Sequence, residues 1–206
     1  MEAPGRLGLT ILLLAATAAQ PLAAFDYPLS SKAIREAYFL GAGDAGKRAE
    51  FFGKYTKRFP IPKSGPYVAM IEFETPYVVI AKRVSQNVSN YFAQEAEQEF
   101  LGKPAICRVR VQIYFRGTYG RQSTQPVTRP RRDYTIRLTQ GDKEIASTAR
   151  SSEGLYMSGP THTVIGREMD LDYDAEKIDS AAPATVEVLT PDGQGIRAEF
   201  DLAKLR

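Results

Sequence analysis

The stretch Ile106-Cys-Arg-Val-Arg-Val-Gln-Ile-Tyr-Phe115 has an apolar side chain at every second position from Cys107 onwards, with more polar side chains between them. In a strand, successive side chains point to opposite faces, so this period of two predicts a half-buried β-strand. Cys107 lies on its apolar face, and Arg108 and Arg110 lie on the other. Because Cys107 is the only cysteine, no intramolecular disulfide can form, and we expect a buried, unreactive thiol.

A second alternating stretch, residues 163–173, has the complementary charge. Its carboxylates, with the residue that follows, are Glu168, Asp170, Asp172 and Asp174. If the two strands are neighbours in one sheet, cross-strand arginine–carboxylate pairs would neutralise both stripes and help to set the register. The alternative is a calcium site. The run from Asp170 is not an EF-hand loop, because Ala175 and Ala181 replace its glycine and its final glutamate, but a looser calcium site stays open.

Further short strands follow the same period in the C-terminal half. Two form a hairpin around residues 140–143, and two are joined by the turn Thr190-Pro-Asp-Gly193. About six strands at this spacing are typical of an antiparallel β-sandwich. The predicted strands are residues 106–115, 134–138, 144–148, 163–173, 184–189 and 196–200.

The part of the chain before residue 105 is mainly helical in its pattern. Ser30 or Ser31 can cap a first helix, and Gly41 stands where that helix would end. The predicted elements are helices at residues 30–41 and 45–59, a strand at 67–74, and two helices after Pro76 that break near 87–90. The expected fold class is therefore α+β, with N-terminal helices packed on a C-terminal antiparallel β-sandwich.

The N-terminus has the pattern of a secretory signal peptide. Arg6 precedes an apolar run from Leu7 to Ala19, followed by small residues up to Ala24. This run is shorter than the ~20 residues that a membrane-spanning helix needs, so we expect cleavage and no transmembrane anchor in the mature chain. The predicted localisation is periplasmic or extracellular. The predicted parts are a signal peptide at 1–24, a helical region with one strand at 25–104 and a β-sandwich region at 105–206.

The content of reactive side chains limits the chemistry. One histidine and one cysteine are too few for the usual zinc sites. His162 lies outside any nucleophile-elbow pattern and is expected in a loop. There is no phosphate-binding glycine loop, and no cofactor is predicted. Two carboxylates far apart in sequence could still form an acid–base pair, so a hydrolase of envelope or extracellular polymers is the alternative function.

Charge is divided unevenly along the chain. Lysine and arginine exceed aspartate and glutamate by nine in residues 25–137, whereas the acids exceed the bases by six in residues 138–206. The long polar loop between the first two predicted C-terminal strands is the most basic part. Its arginines could bind an anionic envelope polymer or a protein partner, or could be solvated and internally paired; nucleic acid is not expected for an exported protein. The candidate binding residues are Arg116, Arg121, Arg129, Arg131 and Arg132.

Two segments resemble parts of exported bacterial proteins that have no assigned activity. They are Ser31-Lys-Ala-Ile-Arg-Glu-Ala-Tyr-Phe-Leu-Gly41 and Thr190-Pro-Asp-Gly-Gln-Gly-Ile-Arg-Ala-Glu-Phe-Asp-Leu202. The resemblance implies bacterial export and no site residue. The expected function is thus an exported, non-catalytic binding or interaction module, with its ligand and oligomeric state left open.

Overall fold

The computed structural model describes residues 25, 27–62, 66–87, 90–115, 134–157, 164–190, 193 and 195–206. Within them the chain forms four α-helices and two antiparallel sheets, a mixed α+β fold with a sandwich-like arrangement of the sheets. The helices are α1 (Ser31–Ala42), α2 (Ala45–Gly53), α3 (Pro76–Gln86) and α4 (Ala93–Phe100). The strands are β1 (Thr56–Arg58), β2 (Tyr67–Glu74), β3 (Ile106–Tyr114), β4 (Thr135–Gln140), β5 (Lys143–Ile145), β6 (Ala149–Tyr156), β7 (Val164–Asp174), β8 (Pro183–Leu189) and β9 (Gly195–Asp201).

The two sheets enclose the main apolar core. Sheet A has the strand order β1-β2-β3-β7-β6, and sheet B has the order β5-β4-β8-β9. As the alternation predicts, one face of β3 is fully buried, with Cys107 and Val109 at 0% exposure. Phe73 of β2 lies against Phe200 of β9, with ring centroids 5.7 Å apart. The strands predicted over β3, β7, β8 and β9 are confirmed.

Buried side chains of α1, α3 and α4 form a second apolar cluster beside sheet A. The Oγ of Ser30 accepts a hydrogen bond of 3.2 Å from the backbone N–H of Ala33, which confirms the predicted cap of α1. Gly41 allows α1 to approach α3, because a Cβ there would lie 2.3 Å from the carbonyl oxygen of Ala81. The break between α3 and α4 is also confirmed. None of the described helices is long and apolar enough to span a membrane.

The predicted helix at 45–59 is wrong beyond Gly53. The carbonyl of Tyr55 accepts a hydrogen bond of 3.0 Å from the N–H of Phe73, and the N–H of Phe59 donates one of 3.0 Å to the carbonyl of Ala69. Pairing with β2 therefore satisfies the backbone here, and residues 56–58 form β1. Because β1 and β2 belong to sheet A, the sandwich is not confined to residues 105–206.

The predicted hairpin around residues 140–143 is confirmed by the pairing of β4 with β5, but the end of its second strand needs correction. The strand expected at 144–148 ends at Ile145 and is followed by β6, which the sequence did not predict. Seven of the eight residues of β6 are exposed, so no alternation of apolar side chains marks it. An edge strand that is covered on neither face has no need of that pattern.

The burial of Cys107 leads to a testable expectation. Its side chain is fully buried, and burial raises the pKa of the thiol well above its usual value. A thiol reagent should therefore label Cys107 only after denaturation. Replacement by serine should lower the free energy of unfolding by about 1–3 kcal/mol, because a hydroxyl would be buried without a partner. Labelling kinetics measure the reactivity of the thiol, and urea unfolding measures the stability of the serine variant. Fast labelling of the native protein would contradict the burial of Cys107.

Candidate functional site

The face of sheet A that lies opposite the sandwich core carries rows of charged side chains. In the register of β3 and β7, Arg108 lies opposite Asp172 and Arg110 opposite Asp170. Arg108 Nε lies 2.6 Å from Asp172 Oδ1, and Arg110 Nε lies 2.8 Å from Asp170 Oδ1. A second nitrogen of each guanidinium bonds to the other carboxylate oxygen, so both pairs are bidentate. The predicted pairing of the two stripes is confirmed.

The next cross-strand pair on this face joins an uncharged residue of β3, Gln112, to Glu168 of β7. Gln112 Nε2 donates a hydrogen bond of 2.7 Å to Glu168 Oε2. The other oxygen of Glu168 lies 3.2 Å from Arg110 Nε. Arg110 therefore contacts two carboxylates of β7, and these raise its pKa above the usual value, so that it stays charged.

Two glutamates of β2 extend these rows towards the helices. Glu72 and Glu74 are 3% and 1% exposed, and both bind the ammonium group of Lys82 on α3. The Nζ of Lys82 lies 2.8 Å from Glu74 Oε1, and the Nη1 of Arg110 lies 3.5 Å from the same oxygen. Burial raises the pKa of Glu74, whereas the charges of Lys82 and Arg110 act to lower it.

We call the whole set the polar network, and it comprises Glu72, Glu74, Lys82, Arg108, Arg110, Gln112, Glu168, Asp170 and Asp172. Sequence reasoning missed its β2 and α3 members, because alternation in β2 places the two glutamates on a face expected to meet water. The sequence signal that could have revealed them is the pair Glu72 and Glu74, two residues apart, followed by a helix that carries Lys82. Helix α3 covers this face and supplies that lysine.

An open depression of about 600 Å³ borders the polar network between α2, β1, β2 and α3. Besides network residues its lining includes Phe52, Thr56, Arg58 and Met70. The Oγ1 of Thr56 lies 3.2 Å from Glu72 Oε1. In the part of the chain that the structure describes, no three or more histidine, cysteine, aspartate or glutamate side chains are grouped to hold a metal ion. Of the carboxylates that the calcium alternative would use, Asp170 and Asp172 are bonded to arginines. Glu168 is bonded to Gln112 and lies near Arg110, and Asp174 lies 3.8 Å from Lys177 Nζ.

A groove between α1 and α4 has a different character. It measures about 660 Å³ and is open to solvent. Phe39 and Leu101 line it and are 65% and 47% exposed. Arg35 Nε lies 2.8 Å from Glu97 Oε2 within the groove, and this hydrogen bond lowers the pKa of Glu97. We call this surface, with Ala93, Gln94 and Gln98 as its other lining residues, the helical groove.

The binding residues expected from the sequence lie outside the described residues. They are Arg116, Arg121, Arg129, Arg131 and Arg132. His162 and the predicted leader, residues 1–24, also lie outside them. The role of these arginines therefore stays a prediction.

Comparison with known proteins adds little. No protein-family model matches the chain, and no similar curated protein was found. Among solved structures, an IgNAR antibody domain C1 is similar over 70% of this chain and 99% of its own. The two share 10% sequence identity, with a TM-score of 0.33. That likeness is too weak to support an inference about this protein.

Proposed function

We propose that this protein is an exported, non-catalytic binding module, in which a β-sandwich carries N-terminal helices that contact a partner. The observation that favours this function is the helical groove, where Phe39 is 65% exposed beside Leu101. Large apolar side chains grouped around an open groove are typical of protein interaction sites. Periplasmic or extracellular localisation follows from the leader pattern of residues 1–24 and belongs to the same proposal.

The polar network supports binding over hydrolysis. A glycoside-type hydrolase needs two carboxylates on either side of the scissile bond. Glu72 and Glu74 are the most buried carboxylates of the network, but the ammonium of Lys82 lies between them and bonds to both. On β7, Asp172 is likewise bonded to Arg108, and Asp170 is bonded to Arg110. Such an arrangement stabilises the junction of α3 with sheet A.

A second contact is proposed for the arginines of the basic loop. Their charge suits an anionic envelope polymer or an acidic surface on the same partner. Nucleic acid is not expected, because the protein is proposed to be exported. This part of the proposal rests on sequence alone.

Replacing Phe39 or Leu101 with serine should abolish partner binding without unfolding the protein. Both side chains are largely exposed, so the free energy of unfolding should change by less than about 0.5 kcal/mol. Mild crosslinking of the exported protein, followed by identification of the proteins that co-purify, measures the effect. Ile61→Ser is the matched control, because Ile61 is 54% exposed and lies outside the groove. An identical set of partners in all variants, or cleavage of an envelope polymer by the purified protein, would contradict the proposal.

A further inference from the structure

Strand β6 forms one edge of sheet A and pairs only with β7 among the described strands. It is eight residues long, and seven of these residues are exposed. In an antiparallel sheet the N–H and C=O groups of alternate residues of an edge strand point away from its neighbour. This edge therefore offers backbone groups to which another extended chain can bond.

The charge at this edge is unbalanced. Glu153 of β6 lies directly opposite Glu168 of β7, and like charges in that position are unfavourable. Glu168 is held by Gln112 and by Arg110, at 2.7 Å and 3.2 Å. Glu153 has no ion pair with any residue in the described ranges. A cation placed beside it would stabilise this end of the sheet.

We propose that β6 is a strand-addition site for an extended segment of another protein that places a lysine or arginine opposite Glu153. Backbone hydrogen bonds along the edge would supply most of the affinity, and the cation would select the sequence and register. This surface lies on a different element from the helical groove, so the proposal goes beyond the function proposed above and does not depend on it.

A second copy of this chain does not fit the same edge. In a sheet continued across two antiparallel strands, residues that face each other lie on the same side of the sheet. In a closed dimer the two copies are related by a twofold axis perpendicular to the sheet, so each copy keeps the same residues on the same side. Glu153 would then face Ala149, Ser151, Glu153 or Leu155 of the copy. The one cation of β6, Arg150, lies on the opposite side. Pairing of β6 with itself thus leaves Glu153 without a counter-ion, and a foreign basic segment is favoured.

The test uses the mature protein and the peptide acetyl-Thr-Lys-Val-Lys-Val-Thr-amide, titrated by NMR of the backbone amides. We expect shifts concentrated in β6 and β7. A peptide with glutamate in place of lysine should bind more weakly. The lysine peptide methylated on every backbone nitrogen keeps its charge but has no N–H donor on either edge, so it should not bind. Equal binding of the methylated peptide, or shifts confined to other elements, would overturn the proposal.

Variants of Glu153 test whether its charge, rather than the backbone of β6 alone, determines which peptide binds. Glu153→Gln should weaken binding of the lysine peptide about two- to fivefold, the effect expected for one opposite-charge cross-strand pair. Glu153→Lys should reverse the preference and favour the glutamate peptide. Glu199→Gln is the matched control, because Glu199 is an exposed carboxylate on the edge strand β9 of sheet B. Unchanged binding by Glu153→Gln, or self-association of the free protein through β6, would refute the assignment.

Discussion

Arg110→Ala is expected to lower the free energy of unfolding by about 3–5 kcal/mol, because it would remove one of the cations that face the buried carboxylate of Glu74 and would leave two partly buried carboxylates of β7 without their arginine. Arg110 bonds to Asp170 and lies 3.2 Å from Glu168 and 3.5 Å from Glu74. Its side chain is 17% exposed, and that of Glu74 is 1% exposed. Without the guanidinium, the carboxylates of Asp170, Glu168 and Glu74 would repel one another in a place too poorly hydrated to screen their charges.

Urea unfolding of parent and variant measures this loss. Burial already raises the pKa of Glu74, and removal of Arg110 would raise it further. When folding raises the pKa of an acid, the protein becomes less stable as the pH rises and that acid ionises. The loss of unfolding free energy caused by Arg110→Ala should therefore be larger at about pH 7 than at about pH 5. Arg197→Ala is the control, because Arg197 also pairs with a carboxylate, Glu187 at 2.8 Å, but is 74% exposed. Its loss should stay below about 1 kcal/mol.

A double-mutant cycle between Arg110→Ala and Asp170→Ala then tests the cross-strand pair itself. We expect a clear coupling free energy, since the two side chains form two hydrogen bonds of 2.8 and 3.0 Å. Calorimetry of the parent with and without calcium completes the test. Absence of coupling together with stabilisation by calcium would contradict the structural role and favour the calcium alternative.

Phe73→Ala is also expected to have a large effect. It should lower the free energy of unfolding by about 3–5 kcal/mol, because it would leave a cavity where the two sheets meet. Phe73 has 0% exposure, and its ring lies 5.7 Å from that of Phe200. Val68 and Ile71 of the same strand belong to the core cluster that Phe73 shares with the side chains of sheet B. Thermal or urea unfolding measures the change.

Phe39→Ala provides the matched control for Phe73→Ala. It removes the same atoms from a side chain that is 65% exposed, so stability should change by less than about 0.5 kcal/mol. A small loss for Phe73→Ala would show that the sheets do not meet through this ring. A large loss for Phe39→Ala would show that the helical groove is covered within the protein.

Much of sheet A could be predicted from the two strands that decide it. The alternation over residues 106–115 predicts burial of Cys107, and the stripe from Glu168 to Asp172 carries the charges that Arg108 and Arg110 require. Complementary stripes of equal spacing leave few registers open, because a slip of one residue would place every side chain on the wrong face. The pairing of Arg108 with Asp172 and of Arg110 with Asp170 confirms this reasoning.

Other parts could not be found from the pattern. Helical spacing continues past Gly53, yet residues 56–58 become a strand because β2 offers them backbone partners. Strand β6 shows no period of two because neither of its faces is covered. The predicted site at Arg116, Arg121, Arg129, Arg131 and Arg132 rests on charge alone and stays a prediction.

The sequence by itself determined that β3 and β7 are half buried, which side of β3 faces the core and which charges of these two strands can neutralise one another. All of these follow from the period of the side chains, which is local. Only the tertiary structure decided that α3 covers the polar side of β2, so that Glu72 and Glu74 are buried around Lys82. It also decided that Glu153 lies opposite Glu168 on the edge strand of the described part of sheet A. The reason is physical: periodicity reports which side chains share a face, but whether a polar face is covered, and by which element, is set by packing between distant parts of the chain.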